Sequence, residues 1–596
     1  MLFASPSVEI ERRGGAVILR SQQPLAPHAR CVGDWLAGWA ERAPARTFLA
    51  ERTGRAGGGA WRLLSYGEAW RRVPAIAQGL VDLGASRERP VLLLSDNGID
   101  HALVQLAAMH AGVPAAPISP PYSLATKDFT KLRQIVETVR PGVAYVDDPA
   151  PFAAAIAAAI PGVPLVSSRG AAAAIVSDLE SRSPGPALER ANGVVGPDTV
   201  AKILFTSGST GTPKGVVNTQ RMLCSNQQAI SQVWPLLARR PPVVVDWLPW
   251  SHTFGGNHNF NMILAHGGTL YIDRGKPVPG RFEETIANLR DVSPTLYFNV
   301  PRGFERLAGA LEEDEALAAH FFEELDLLFY AAAALPQSTW ARLEAVATRH
   351  GRRVPFVSAW GSTETSPLVT SVHFPIAHAG VIGLPVPGCE LLLVPDAGDT
   401  GADGKLEMRV RGPNVTPGYW EPGGGVRAIT LDGDGFLPTG DAGRLEDAHD
   451  PSRGVVFDGR MAENFKLASG TWVSVGELRV RAIAACAPLV QDAVVTGHDR
   501  DEVGLLLFLA PTTLEGDELR ACLLASLRSY NAAHPATSTR VTRAMVLVDA
   551  PSIDGGEITD KGYINQRAVL TRRASFVEVL HAAHPEEGVL LIDRAV

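Results

Sequence analysis

At 596 residues the chain is longer than one hydrophobic core organises, which implies two or more domains. Its 46% hydrophobic and 20% charged residues describe an ordinary globular composition, and a net charge of −8 carries none of the basic footprint of a nucleic-acid binder. The 5 cysteines are scattered, odd in number and without a C-x-x-C pair, which argues against both a disulfide framework and a zinc site.

The chain opens MLFASPSVEIERRGG, where charge interrupts any apolar h-region, and no later run has the apolar length of a bilayer span. The expectation is no membrane and a reducing, cytoplasmic setting. Ser65 with Glu68 three positions on has the form of a capping box and opens a helix running through Trp70 and Ile76 to Leu83. Then RPVLLLSD reads as a buried strand, HALVQLAAMHAG as a helix and VPAAPIS as another strand, so βαβ units and a largely parallel sheet are expected. Between Pro151 and Pro197 the composition turns to Ala, Pro and Gly, read as a surface helix and a linker.

Residues 200–215 read VAKILFTSGSTGTPKG, an apolar run at 203–205 feeding into Thr206, Ser207, Gly208, Ser209, Thr210, Gly211 and Thr212, with Lys214 beyond. Gly208 and Gly211 carry no Cβ, so backbone N–H groups can approach an anion closely. The hydroxyls add donors and Lys214 adds a mobile point charge, a composition that grips polyphosphate. It is not the ATPase P-loop: two residues separate Gly208 from Gly211, and Gly215 follows Lys214. Met222, Leu223, Ile230, Val233 and Trp234 then share one helical face, which puts the loop between a strand and a helix, where open α/β sheets bind ligands.

Next come VDWLPWSHTFGGNHN with Trp250, His252 and Phe254, LYFNVPRGFERL with Asn299, and LLFYAAAALPQ with Tyr330, Ala331 and Ala332. Rigid aromatics with small neighbours make a flat slot suited to a planar acid, although each ring taken singly is more often core. In AWGSTETSP, Trp360 and Gly361 end a strand, Thr363 offers a hydroxyl to a phosphate oxygen and Glu364 a hard carboxylate to Mg²⁺; a helix N-terminus capped by Ser362 or Thr363 is the alternative. Short runs with Gly, Pro and Asp turns follow, as in an antiparallel β region, and within them FLPTGDAGRL places Asp441 where a carboxylate can accept both ribose hydroxyls; T-G-D is also a common turn. A composition change near Asp458 sets the expected boundary at Arg460, between a large domain of residues 1–459 and a small one of 460–596.

The 200–215 stretch resembles the signature loop of the adenylate-forming superfamily of acyl-CoA synthetases, adenylation domains and luciferases, and the later motifs follow in that superfamily's order. The resemblance implies an α/β fold: a large N-terminal domain with βαβ-type sheets and an antiparallel β region, and a small mobile α+β C-terminal domain. It further implies that Thr363 contacts the α-phosphate, Glu364 holds Mg²⁺, Asp441 binds ribose and Arg460 binds nucleotide near the hinge. Lys561, in ITDKGYINQR, resembles the lysine that reaches in for adenylate formation, Lys466 matches a position used in the second conformation, and His252 matches a histidine that gates the channel to the adenylate. The implied reaction joins a carboxylate to MgATP as acyl-AMP, then passes the acyl group to coenzyme A. These segments, with GRMAENFKLASGTWVSVGELR, resemble the feruloyl-CoA synthetase branch, which activates hydroxycinnamic acids such as ferulate, with residues 331–334 all alanine where relatives usually carry glycines. The resemblance is compatible with a monomer or a homodimer. A ligase for benzoate or a medium-chain acid, or a non-catalytic nucleotide-binding regulator, is the alternative.

Overall fold

The computed structural model describes residues 2–54, 58–126, 128–207, 212–278, 280–395, 406–510, 512–558, 564–585 and 588–592. The expected capping box forms: the Ser65 N–H donates to the Glu68 carboxylate at 2.9 Å and the Glu68 N–H to the Ser65 hydroxyl at 3.2 Å, opening helix Tyr66–Asp82. The strands read at 91 and 115 are present as Val91–Leu93 and Ala115–Pro117, parallel neighbours with helix Ile99–His110 between them.

Among the described residues these strands belong to a 9-stranded sheet, parallel from Val200–Ser207 through Ala115–Pro117, Val91–Leu93 and Val143–Val146 to an edge at Leu165–Ser167 and Ala174–Ile175. That edge corrects the linker reading of residues 151–197. The Ala-rich helix is there, as Pro149–Ala159, but the segment after it pairs into the sheet through short β-prone runs too brief to stand out by composition.

The phosphate loop also departs from expectation. Val200–Ser207 turns back antiparallel onto Pro213–Thr219, with Thr206 opposite Lys214, and only then does helix Gln220–Val233 begin. The β-branched Val216, Val217 and Thr219 favour an extended chain, so the loop tips a hairpin and does not join a strand to a helix. A Cβ at Gly215 would lie 2.9 Å from the Ile203 side chain and 3.2 Å from the Phe205 ring, which explains glycine in that register.

The second sheet has 11 strands among the described residues and changes character along its width. The strands on one side of this change, from the Val8–Arg13 edge through Leu437–Leu445 and Val455–Arg460 at the middle of the sheet, pair antiparallel as expected; Phe356–Gly361, Leu327–Tyr330 and Leu296–Asn299 pair parallel. Phe356–Gly361 sits at that change, antiparallel to Leu368–Ser371 on one side and parallel to Leu327–Tyr330 on the other. A smaller sheet contains Val243–Asp246 and Thr269–Ile272.

Beyond Arg460 a 4-stranded sheet built on Val490–Thr496, Val503–Leu509 and Val541–Leu547 packs with helices Val475–Ala485 and Gly516–Ala533. Among the described residues, clusters of buried apolar side chains reach Val456 on one side and resume at Phe465 on the other, and none contains both. The fold is thus a large α/β N-terminal domain with mixed sheets and a small α+β C-terminal domain. All 5 cysteines are free thiols, and no described helix is long and apolar enough to cross a membrane.

Candidate active site

Three segments come together at the hairpin. The first is the hairpin itself, with Thr206 and Ser207 on one arm, Thr212 at the exit of the tip and Lys214 on the other arm; Gly208, Ser209, Thr210 and Gly211 lie outside the described residues. The second is the turn Thr363–Thr365, which follows strand Phe356–Gly361. The third is Gly418–Glu421, paired to the hairpin through Val216 and Tyr419.

Tyr419 connects all three. Its hydroxyl donates to the Glu364 carboxylate at 3.4 Å, and the Lys214 ammonium lies 5.6 Å from the centre of its ring. Burial and the neighbouring Glu364 charge push its phenol up to about 12, so it stays a neutral donor. The Thr416 N–H donates to the Glu364 carbonyl at 2.8 Å, and its hydroxyl donates to the Val217 carbonyl at 2.6 Å, lashing the turn to the hairpin. Thr363 is buried while the Glu364 side chain is half-exposed, the arrangement expected of a carboxylate that meets a solvated cation. The capping alternative is also present, on a small scale: Ser362 is the N-cap of a 3-residue 3₁₀ helix, its N–H donating to the Thr365 hydroxyl at 2.8 Å.

Asp441 and Arg460 are cross-strand partners, the guanidinium Nε standing 3.7 Å from the carboxylate. Trp360 reaches the same carboxylate from the other sheet segment, its indole N–H donating at 2.9 Å. Burial raises the Asp441 carboxyl above the usual aspartate range, opposed by Arg460 and by the Trp360 hydrogen bond. Gly361, next along, cannot carry a side chain: a Cβ there would lie 1.7 Å from the Pro367 carbonyl oxygen.

The aromatic segments divide. His252 lies two residues before a π-helical stretch, Phe254–Asn259, its carbonyl accepting from the Gly256 N–H at 2.8 Å. Phe254 is half-buried and packs on His258 and Phe329, with ring centroids 5.9 and 5.5 Å away. Trp250, however, is core, edge-on to His101 and Phe260. Tyr330 is 1% exposed, and Asn299 is fully buried with its amide accepting from Val300 and Trp247 and donating to Tyr297. Ala331 is half-buried and Ala332 exposed, the latter at φ +74, a conformation that favours glycine and accounts for the glycines expected at this loop.

Of the two lysines assigned to the small domain, Lys466 is exposed with its ammonium 4.8 Å from the Trp472 ring centre, and Lys561 lies outside the described residues. Sequence reasoning missed Tyr419, Thr416 and Asn218, which carry no motif of their own. It also passed over Lys202, although a lysine inside the apolar run VAKILF was a visible signal.

A family model described as AMP-binding enzyme matches residues 36–420, and one described as AMP-binding enzyme C-terminal domain matches residues 478–584. A long-chain-fatty-acid–CoA ligase of Yersinia pestis is 31% identical over 43% of this chain and 43% of its own length. The indoleacetate–CoA ligase of Aromatoleum aromaticum is 27% identical over 77% of this chain and 85% of its own. Among solved structures, ATP-bound MatB from Rhodopseudomonas palustris superposes with a TM-score of 0.69 at 22% identity, covering 92% of this chain and all of that one, which speaks to the fold. The chain belongs to the AMP-binding enzyme family.

Proposed function

We propose that this protein is an ATP-dependent acid–thiol ligase that activates a hydroxycinnamic acid such as ferulate and transfers it to coenzyme A. The observation that carries the reading is that Tyr419 ties the hairpin to the Glu364 turn while Trp360, on the strand that leads into that turn, holds Asp441 beside Arg460, in an AMP-binding enzyme. In the first half-reaction a carboxylate oxygen attacks the α-phosphorus of ATP and the bond to pyrophosphate breaks. In the second, the coenzyme A thiolate attacks the acyl carbon and AMP departs with the oxygen that made the attack.

Each group has a task that its chemistry suits. The hairpin's N–H groups, its hydroxyls and Lys214 hold the polyphosphate, and Thr363 orients the α-phosphate. Glu364 would hold Mg²⁺, which binds through one or two carboxylates plus substrate phosphates and neutralises charge as pyrophosphate leaves. Asp441 accepts the ribose hydroxyls, kept in place by Trp360 and Arg460. His252 and Phe254 face the acid with Gly361 and Ala331, and His252 gates the path to the adenylate. The small domain, hinged near residue 460, brings Lys561 to the first half-reaction and Lys466 to the second.

The aromatic acid is favoured by the cluster in which Phe254, His258, Phe298 and Phe329 pack ring on ring beside the π-helical stretch. The similarity to an indoleacetate–CoA ligase over 77% of the chain is consistent with a flat acid, whereas the Yersinia pestis relative keeps a fatty acid open. Purified protein with MgATP, coenzyme A and ferulate should develop the long-wavelength absorbance of a conjugated thioester, dependent on both co-substrates. Faster turnover of octanoate or benzoate than of ferulate would overturn the choice of acid, and no AMP with any acid would overturn the ligase.

A further inference from the structure

The hairpin, the π-helical stretch and the chain just beyond the Glu364 turn share one side chain that makes no motif. Asn218, five residues beyond Pro213 on the hairpin's second arm, is fully buried. Its Oδ1 accepts from the Asn257 amide of the π-helical stretch at 2.7 Å and from the Ser366 hydroxyl, just beyond the Glu364 turn, at 3.0 Å; its own Nδ2 donates to the Val216 carbonyl at 3.3 Å. A second tie runs parallel to the first: the Lys202 ammonium, on the opposite arm, donates to the Gly256 carbonyl at 2.8 Å.

A π-helical stretch is strained against its α-helical alternative and needs outside partners for its backbone. Here Lys202 and Gln227 supply them, Gln227 donating to the carbonyls of Asn257 and His258 at 2.9 and 3.1 Å. Asn218 differs from those two because it also holds the Glu364 turn. A single acceptor atom therefore sets the position of the acid-facing segment against that of the turn on which Thr363 and Glu364 sit.

We infer that Asn218 is a positioning residue that registers the acid-binding segment against the phosphate-binding turn, so that the carboxylate meets the α-phosphorus in line. The inference rests on the ligase reading for its chemistry. Each substrate keeps its own contacts when Asn218 is replaced, while their mutual alignment is lost, and misplacement by about 1 Å costs on the order of 100-fold in rate.

The test compares wild-type protein with Asn218→Leu, which keeps the volume and removes the bonds, and with Asn261→Leu as control. Asn261 is equally buried, and its amide has no hydrogen-bond partner among the described residues. In Asn218→Leu the acid-dependent release of pyrophosphate should fall about 30-fold or more at saturation. The separate dissociation constants for ATP and for the acid should stay within about threefold of wild type, well short of the factor of 10 that each 1.4 kcal/mol represents. Hydrogen exchange should quicken together in residues 252–260 and 362–368, and in neither for Asn261→Leu. Turnover within about threefold of wild type, both dissociation constants rising with the loss of turnover, or exchange quickening in one segment alone overturns the proposal. Asn218→Ser serves where the leucine variant does not fold, with the same outcomes read the same way. Wild-type protein that releases no pyrophosphate with any acid refutes the ligase reading instead, and the exchange comparison still decides whether Asn218 couples the two segments.

Discussion

Lys202 shows how much a single buried charge can report. Its side chain has no exposure, and burial lowers its amine to about 7. The unfolded chain holds that proton up to about 10.4. Between those values the unfolded state binds a proton that the folded state does not, so this residue's contribution to stability rises with pH. Unfolding free energies of wild type and Lys202→Met, measured in urea from pH 7 to 10, should diverge in wild type's favour as pH rises. The difference grows by at most about 1.4 kcal/mol per pH unit, the value of one whole proton. A difference that shrinks or stays level across that range would mean the amine remains protonated in the fold.

Elements show where the sequence was legible and where it was not. The helix at Tyr66–Asp82 was readable because its signal is local: a cap, an acidic partner three residues on, and an amphipathic face. Ser65→Ala removes the hydroxyl that receives the Glu68 N–H and should destabilise the protein by about 1 kcal/mol, with catalytic constants unchanged; a drop in activity without a drop in stability would point to another role. The hairpin was half readable. Its first arm and hydroxyl-rich tip were evident, but Pro-Lys-Gly looked like the end of a loop, and the register that opposes Thr206 to Lys214 is a property of pairing, not of composition. The aromatic segments misled in a different way. A ring in a pocket wall and a ring in a core have the same sequence signature, so Phe254 and Trp250 were separated only by their exposure. Asn218 left no trace because its partners lie 39 and 148 residues away.

At the scale of the whole molecule, the two-domain fold and the order of the motifs were legible, since the hydroxyl-rich loop and the Glu364 turn each follow a strand end, visible as an apolar run that stops at a polar loop, although Asp441 lies inside the strand Leu437–Leu445. The convergence of those ends was not. It depends on the way strand Phe356–Gly361 joins the antiparallel and parallel parts of one sheet, and on the way Gly418–Glu421 carries Tyr419 back to the hairpin. That geometry ties Lys214 and Glu364 together through Tyr419 and sets Asp441 beside Trp360, on the strand that leads into the Glu364 turn, and the proposed attack of an acid on ATP at the α-phosphorus rests on it.

The path of one oxygen atom tests that claim most directly. Ferulate labelled with ¹⁸O in its carboxylate, turned over with MgATP and coenzyme A, should leave one ¹⁸O in the AMP formed and none in the pyrophosphate, because the attacking oxygen stays on the α-phosphorus when the thiolate displaces it. Unlabelled AMP, or label appearing in inorganic phosphate beside ADP, would contradict the account.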